Sequence, residues 1–236
     1  MTVPCKTWGC PVCGRAKARE LARVLYLDAL TDPPRFAITL TTHDPDTPAE
    51  VYRHASHMVW KRLRRRYGRV DYFGFIEFTT GRAKRSGGHR RMHGHYLTKF
   101  RESDPDVIEA EALIRSTWES VTGAYIVEVA QLVSPGAAFQ YLSLHHQKPQ
   151  QQPPPGWRGM RSRPSRGYFA EPVWRLRARA REELTIEAIA HAHGITTVEA
   201  AIAFHFAQVV DLDDQEREHK LERESAPSSG KGQVMP

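Results

Sequence analysis

Apolar and polar positions along the chain alternate between a helical and a strand period. Residues 16–30, AKARELARVLYLDAL, place Leu21, Val24, Leu25 and Leu27 close to helical spacing. Asp32-Pro33-Pro34 stops that helix. Residues 36–42, FAITLTT, are short, β-rich and alternating, which predicts a strand. Residues 48–67 predict a helix with a strongly basic end, and Asp71 to Phe78, DYFGFIEF, an aromatic strand. After the Gly-, Arg- and Lys-rich stretch GRAKRSGGHRR come a third strand from Met92 to Phe100 and a helix from Asp106 to Val121. A fourth strand, Tyr125 to Leu132, precedes a helix over Pro135 to His146, with Ser134 as cap and Pro135 at its first position. The order is strand, helix, two strands, helix, strand, helix. It predicts an α+β fold: an antiparallel sheet flanked by helices, with the second and third strands as a hairpin. The split β-α-β-β-α-β arrangement fits this order.

Beyond the sheet the pattern changes. Pro149 to Pro155, PQQQPPP, reads as a stiff linker, and Gly156 to Phe169 is Arg-rich. Trp174 to Asp211 is helical in pattern. Within it, residues 184–206 suggest two helices joined at His193-Gly194, either a helix-turn-helix or a plain helical hairpin, with His191 and His193 at the surface. The tail from Ser225 is small and polar, and disorder is expected there. The expected organisation is a cysteine-containing segment and helix (1–30), a main domain (31–170), a helical C-terminal extension (171–224) and a tail (225–236).

Composition narrows the partners. Lys plus Arg is 34 and Asp plus Glu is 27 in 236 residues, a net charge of +7. A basic balance points to a polyanion, nucleic acid first. No apolar stretch reaches the length of a membrane span, and the N-terminus has no apolar signal-peptide core, so no membrane partner and a cytoplasmic location are expected. The three cysteines, Cys5, Cys10 and Cys13, do not resemble a secreted disulfide framework. Their spacing is that of part of a zinc knuckle, with His43, His54 or His57 as candidates for a fourth ligand; the alternative is three reduced thiols in a turn.

Three features suggest chemistry. His93-Gly94-His95 lies within the third strand, where residues two apart share a face, so both imidazoles project together. They are candidates for half of a metal site with positions left for substrate; the plain alternative is two surface histidines. Glu77, on the neighbouring strand, reaches the same face if the two strands form a hairpin, and a carboxylate beside two imidazoles suits Mg²⁺ or Mn²⁺. Tyr141, His145 and Lys148 form one helical stripe. A tyrosine phenol, with a reference pKa of about 10, becomes a nucleophile when a nearby cation favours the phenolate. An ordinary tyrosine on an amphipathic helix is the alternative.

The order of these features, FAITLTT, then RMHGHYL, then AFQYLSLHHQK, resembles the three motifs of HUH endonucleases. The resemblance covers roughly residues 5–169 and includes Trp8, Glu77, Trp118 and the run RGMRSRPSRGYF. It is closest to replication initiation proteins of bacterial rolling-circle plasmids and small single-stranded DNA phages. The family often carries Tyr-x-x-x-Tyr-x-x-Lys in its third motif. Tyr141 and Lys148 match the first Tyr and the Lys, while His145 stands at the second Tyr. That departure implies a single-tyrosine enzyme.

The resemblance implies a ferredoxin-like (RRM-like) HUH endonuclease domain and a site-specific DNA nickase. Mg²⁺ or Mn²⁺ held by His93, His95 and Glu77 would polarise the scissile phosphate. Tyr141 would form a 5′-phosphotyrosine link, aided by Lys148, and the released 3′-hydroxyl would prime the host polymerase. No GxxxxGK[ST] motif is present, so a helicase would come from the bacterial host. Single-stranded origin DNA is the implied substrate. Arg62, Arg64, Arg65, Arg66, Arg90, Arg91, Arg161, Arg163 and Arg166 are candidate phosphate contacts. Tyr72, Phe73 and Trp157 are candidates for base stacking or for the core. Rival expectations are a non-catalytic, zinc-containing basic DNA-binding protein, and an HUH transposase or relaxase.

Overall fold

The computed structural model describes residues 11–44, 47–80, 90–124, 126–134 and 162–205. The expected helix at 135–146, Tyr141, His145, Lys148, Trp157, Arg161, Cys5, Cys10 and the C-terminal tail lie outside the described residues.

The fold is α+β. Helix α1 (Pro11–Thr31) precedes β1 (Phe36–Thr41), α2 (Ala49–Tyr67), β2 (Val70–Thr80), β3 (Arg90–Phe100), α3 (Val107–Thr122), β4 (Val127–Gln131) and β5 (Ser162–Pro164). Helix α4 (Val173–His193) follows, and after Gly194 a further helix, α5, covers 197–205. The five strands form one antiparallel sheet in the order β4-β1-β3-β2-β5. Strands β2 and β3 are the hairpin that the alternating patterns predict, paired from Val70↔Phe100 to Thr80↔Arg90.

Strand alternation sorts side chains onto two faces. One face carries Phe36, Ile38 and Leu40 of β1, Val70 and Phe78 of β2, Met92 and Tyr96 of β3, and Val127 of β4. Helices α2 and α3 cover it with Tyr52, Val59, Trp60, Leu63, Ile114 and Trp118. Tyr72 belongs to this layer, stacked on Trp60 with ring centroids 4.1 Å apart. The other face carries Ala37, Phe73 and Leu97, covered by Leu25 of α1 and by Tyr168. Tyr72 and Phe73 are therefore packing residues, which removes them from the expected base-stacking set.

Local signals explain the helix ends. Asp106 caps α3, its side chain accepting from the Ile108 and Glu109 amides, and Gly123 ends that helix in the left-handed region at φ 67°. Gly194 does the same for α4 at φ 63°. Thr196 and Glu199 form a reciprocal capping box for α5. Short β5, inside the Arg-rich run, was not expected as a strand. Its three residues pair with Phe73–Phe75, too few to leave an alternating signature.

The chain divides into two compact units, 1–180 and 181–236. The N-terminal helix expected as part of a separate segment lies within the first unit, packed on the sheet. So does the start of α4, where Leu176 and Ala180 bury against Val24 and Leu27 of α1. In the second unit, His191 and His193 are exposed. No described helix is long and apolar enough to cross a membrane.

Candidate active site on the central strand

His93 and His95 are two residues apart on β3, so both project from the sheet face opposite α2 and α3. Gly94 between them points the other way, and its lack of a side chain is required there. A Cβ at this position would lie 1.6 Å from the Tyr52 hydroxyl and 2.7 Å from the Tyr96 ring. Tyr52 is thus able to cross beneath β3 and meet the Tyr96 hydroxyl at 3.1 Å. Burial pushes the Tyr96 phenol up, and Ser56 and Tyr52 only partly offset this, so it stays a neutral member of the core.

The register places Glu77 of β2 directly across from His93, and Phe75 across from His95. The Glu77 side chain leans diagonally to His95, Oε2 lying 3.1 Å from Nε2, a reach that long side chains achieve between diagonal neighbours. This pair is deeply buried, Glu77 being 1% and His95 4% exposed. His93 is half-buried.

On the other side of β3, strand β1 supplies two hydroxyls. Thr41 Oγ1 lies 2.9 Å from His93 Nδ1, and Thr39 Oγ1 lies 3.3 Å from His95 Nδ1. Each imidazole therefore has its Nδ1 engaged by a threonine, which orients the ring, and the Nε2 of His95 faces Glu77. Thr41 is itself anchored from beneath, since the buried Trp118 indole N–H donates to its carbonyl at 2.9 Å. Thr39 and Thr41 escaped the sequence reading as functional residues. Their signal was the Thr-Leu-Thr alternation of FAITLTT, which puts both on one face. Glu128, paired with Thr39 in register, lies on that face too. It is two strands from His95, about 10 Å away by strand spacing.

Imidazole nitrogen and carboxylate oxygen are donor types that divalent cations accept, and the second imidazole stands one pair along. The 3.1 Å between His95 Nε2 and Glu77 Oε2 matches the edge of an octahedron with bonds of about 2.1 Å, which is about 3 Å. Among the described residues no three His, Cys, Asp or Glu side chains gather closely enough to cage an ion. The fit thus rests on two donors, with His93 beside them.

The remaining expected site residues are distributed as follows. Arg90 and Arg91 open β3. Arg163 of β5 and Arg166, shortly after it, are exposed. Cys13 lies in the first turn of α1 and is half-buried. Arg62, Arg64, Arg65 and Arg66 sit on α2, on the face opposite the histidines, so they are not brought to the same site. The chain matches no protein-family model, no curated protein and no solved structure.

Proposed function

We propose that this protein is a metal-dependent, site-specific DNA nickase of the rolling-circle initiator type, working on single-stranded origin DNA with Tyr141 as nucleophile. The observation that supports it most is the arrangement of His93, His95 and Glu77 on one face of adjacent strands, with each imidazole oriented by a threonine hydroxyl. The strand order β4-β1-β3-β2 with α2 and α3 on one face is compatible with the expected ferredoxin-like, RRM-like arrangement. It supports the HUH reading by leaving the histidine face to α1 and the later chain.

In this reading His95 and Glu77, with His93 beside them, would hold Mg²⁺ or Mn²⁺, and the ion would supply Lewis-acid polarisation of the scissile phosphate. Thr39 and Thr41 keep the imidazole Nε2 atoms aimed at the site. Tyr141 Oη bonds to phosphorus as the bond to the 3′ oxygen breaks. The phenol gives up its proton, and the departing oxygen takes one up as a free 3′-hydroxyl. Lys148 offsets charge on the phosphate, and exposed Arg163 and Arg166 offer phosphate contacts. Host polymerase extends the 3′ end, and a host helicase opens the duplex.

The test is purified protein with Mn²⁺ and single strands covering the element's own origin. A covalent protein–DNA adduct is expected, and it is lost in Tyr141→Phe and in His95→Ala. An adduct that persists in Tyr141→Phe, or none in the wild type, overturns the reading. One observation favours a non-catalytic rival: the buried His95–Glu77 pair satisfies its own hydrogen bond. That rival is a DNA-binding protein whose affinity is indifferent to Tyr141, His93 and His95.

A further inference from the structure

Helix α2 buries Tyr52, Ala55, Ser56, Val59, Trp60, Leu63 and Tyr67 against the sheet. The opposite side of that helix carries His54, His57, Lys61 and Arg65 in one stripe at helical spacing, flanked by Arg62, and all five are exposed. After Glu50 the helix contains no acidic residue. Arg66 is committed to Glu109 of α3 at 2.6 Å. Arg64 donates to the Val70 carbonyl, and Arg62 donates only to the neutral Thr117 hydroxyl. Among the described residues, Lys61, Arg62 and Arg65 therefore have no acidic partner. Between α2 and α3 these side chains border a groove of about 470 Å³, lined by Arg62, Arg65, Arg66 and Leu113.

We propose that this ridge binds the phosphate backbone of double-stranded DNA, as a second nucleic-acid surface on the far side of the sheet from the histidines. The choice of duplex over single strand rests on the aromatics. Surfaces for single strands pair cations with exposed rings on which bases stack. Here every aromatic of α2, and Trp118 of α3, is buried. What remains is charge alone, which positions a duplex without reading its sequence. The thickness of the sheet and one helix layer separates the two surfaces, so one protein molecule can hold duplex on one side while a single strand lies at the other. The inference extends the nickase reading by naming where flanking duplex sits, but its test is independent of cleavage.

The experiment measures the fluorescence anisotropy of a labelled blunt duplex of arbitrary sequence, about two helical turns long, across a salt series. Three phosphate contacts give a slope of log K against log salt of about −2.7, a loss of about 40-fold between about 50 and about 200 mM salt. In the combined variant Lys61→Gln, Arg62→Gln and Arg65→Gln, the slope is expected to flatten by about 2.7, and low-salt affinity to fall about tenfold or more. The charge-preserving Arg65→Lys retains the slope. An unchanged far-UV circular dichroism spectrum shows that the triple variant is folded. Unchanged duplex affinity and slope in that folded variant overturn the proposal and leave an acidic protein surface as the ridge's partner. Duplex binding that depends on the ridge in a protein that forms no tyrosine adduct supports this inference while removing the nickase reading.

Discussion

Gly94 joins the two faces of the sheet at a single residue. Its hydrogens leave room for the Tyr52 hydroxyl on one side, while its neighbours present imidazoles on the other. Gly94→Ala forces a methyl into the space of a buried, hydrogen-bonded phenol. We expect a loss of about 1–3 kcal/mol in urea unfolding, the usual cost of overpacking, and displacement of the flanking histidines. Thr41→Val makes the complementary case. It keeps the strand but removes the hydroxyl at His93 Nδ1, so stability should change little, while in the proposed metal site Mn²⁺ affinity should fall about 10–100-fold, as when an outer-shell partner is lost. The period of two made the shared face of His93 and His95 legible in the sequence, and the hairpin made Glu77 legible with it. The threonines were not, because nothing local says which strand lies on the other side of β3. That neighbour is β1, more than fifty residues earlier.

At the scale of elements, α1 is fastened to the sheet by a buried ionic cluster that no pattern in the sequence announces. Lys99 of β3 and Asp28 of α1 are each 1% exposed in their side chains and lie 2.5 Å apart. Lys99 also donates to Asp32 at 3.0 Å and to the Tyr168 carbonyl, and its ammonium sits 4.3 Å from the Tyr168 ring centroid. Asp28 accepts in turn from the Ala170 amide. Removing one partner of such a pair strands the other, so Lys99→Met should cost about 3–5 kcal/mol, and adding Asp28→Asn should recover part of it. Burial pushes the Asp28 carboxyl up, against the pull of Lys99 and the Ala170 amide. At Asp32 burial also pushes upward, but hydrogen bonds from Arg101 and Lys99 outweigh it and hold the group below its ordinary value of 3.8. A depressed folded value means that Asp32 stabilises above the unfolded value and loses that contribution as pH falls through the folded one. Asp32→Asn should therefore destabilise at neutral pH, with the deficit shrinking as pH drops below about 4; thermal melts across that range check it. Elements with a long amphipathic or alternating pattern were legible: β1, α2, β2, β3 and α3 all fall within two residues of their expected bounds. The beginning of α1 and the three-residue β5 were not. The first lies among cysteines, Pro and Gly, and the second is held by pairing with β2 rather than by its own composition.

The first unit is built on a sheet with two unlike sides. One is closed by α2 and α3 over an aromatic core, and the other carries ionisable groups at both ends, His93, His95 and Glu77 near one and the Lys99 cluster near the other. Burying ionisable groups on a sheet face is costly unless each is paired, and here each is paired with a group on a neighbouring strand or helix. Two accounts of the His95–Glu77 pair make opposite demands on overall stability. If the pair is purely structural, divalent cations have nothing to gain by entering it, and the melting temperature is indifferent to Mn²⁺. If it is half of a metal site, the ion binds the folded chain and not the unfolded one. At about 100 times its dissociation constant it then adds about 2.7 kcal/mol. For a chain of this length that raises the melting temperature by about 5–10 °C. His95→Ala should abolish the rise, whereas Arg65→Lys, on the far side of the sheet, should leave it intact. A melting curve that is the same with and without Mn²⁺ in the wild-type protein would decide for the structural pair.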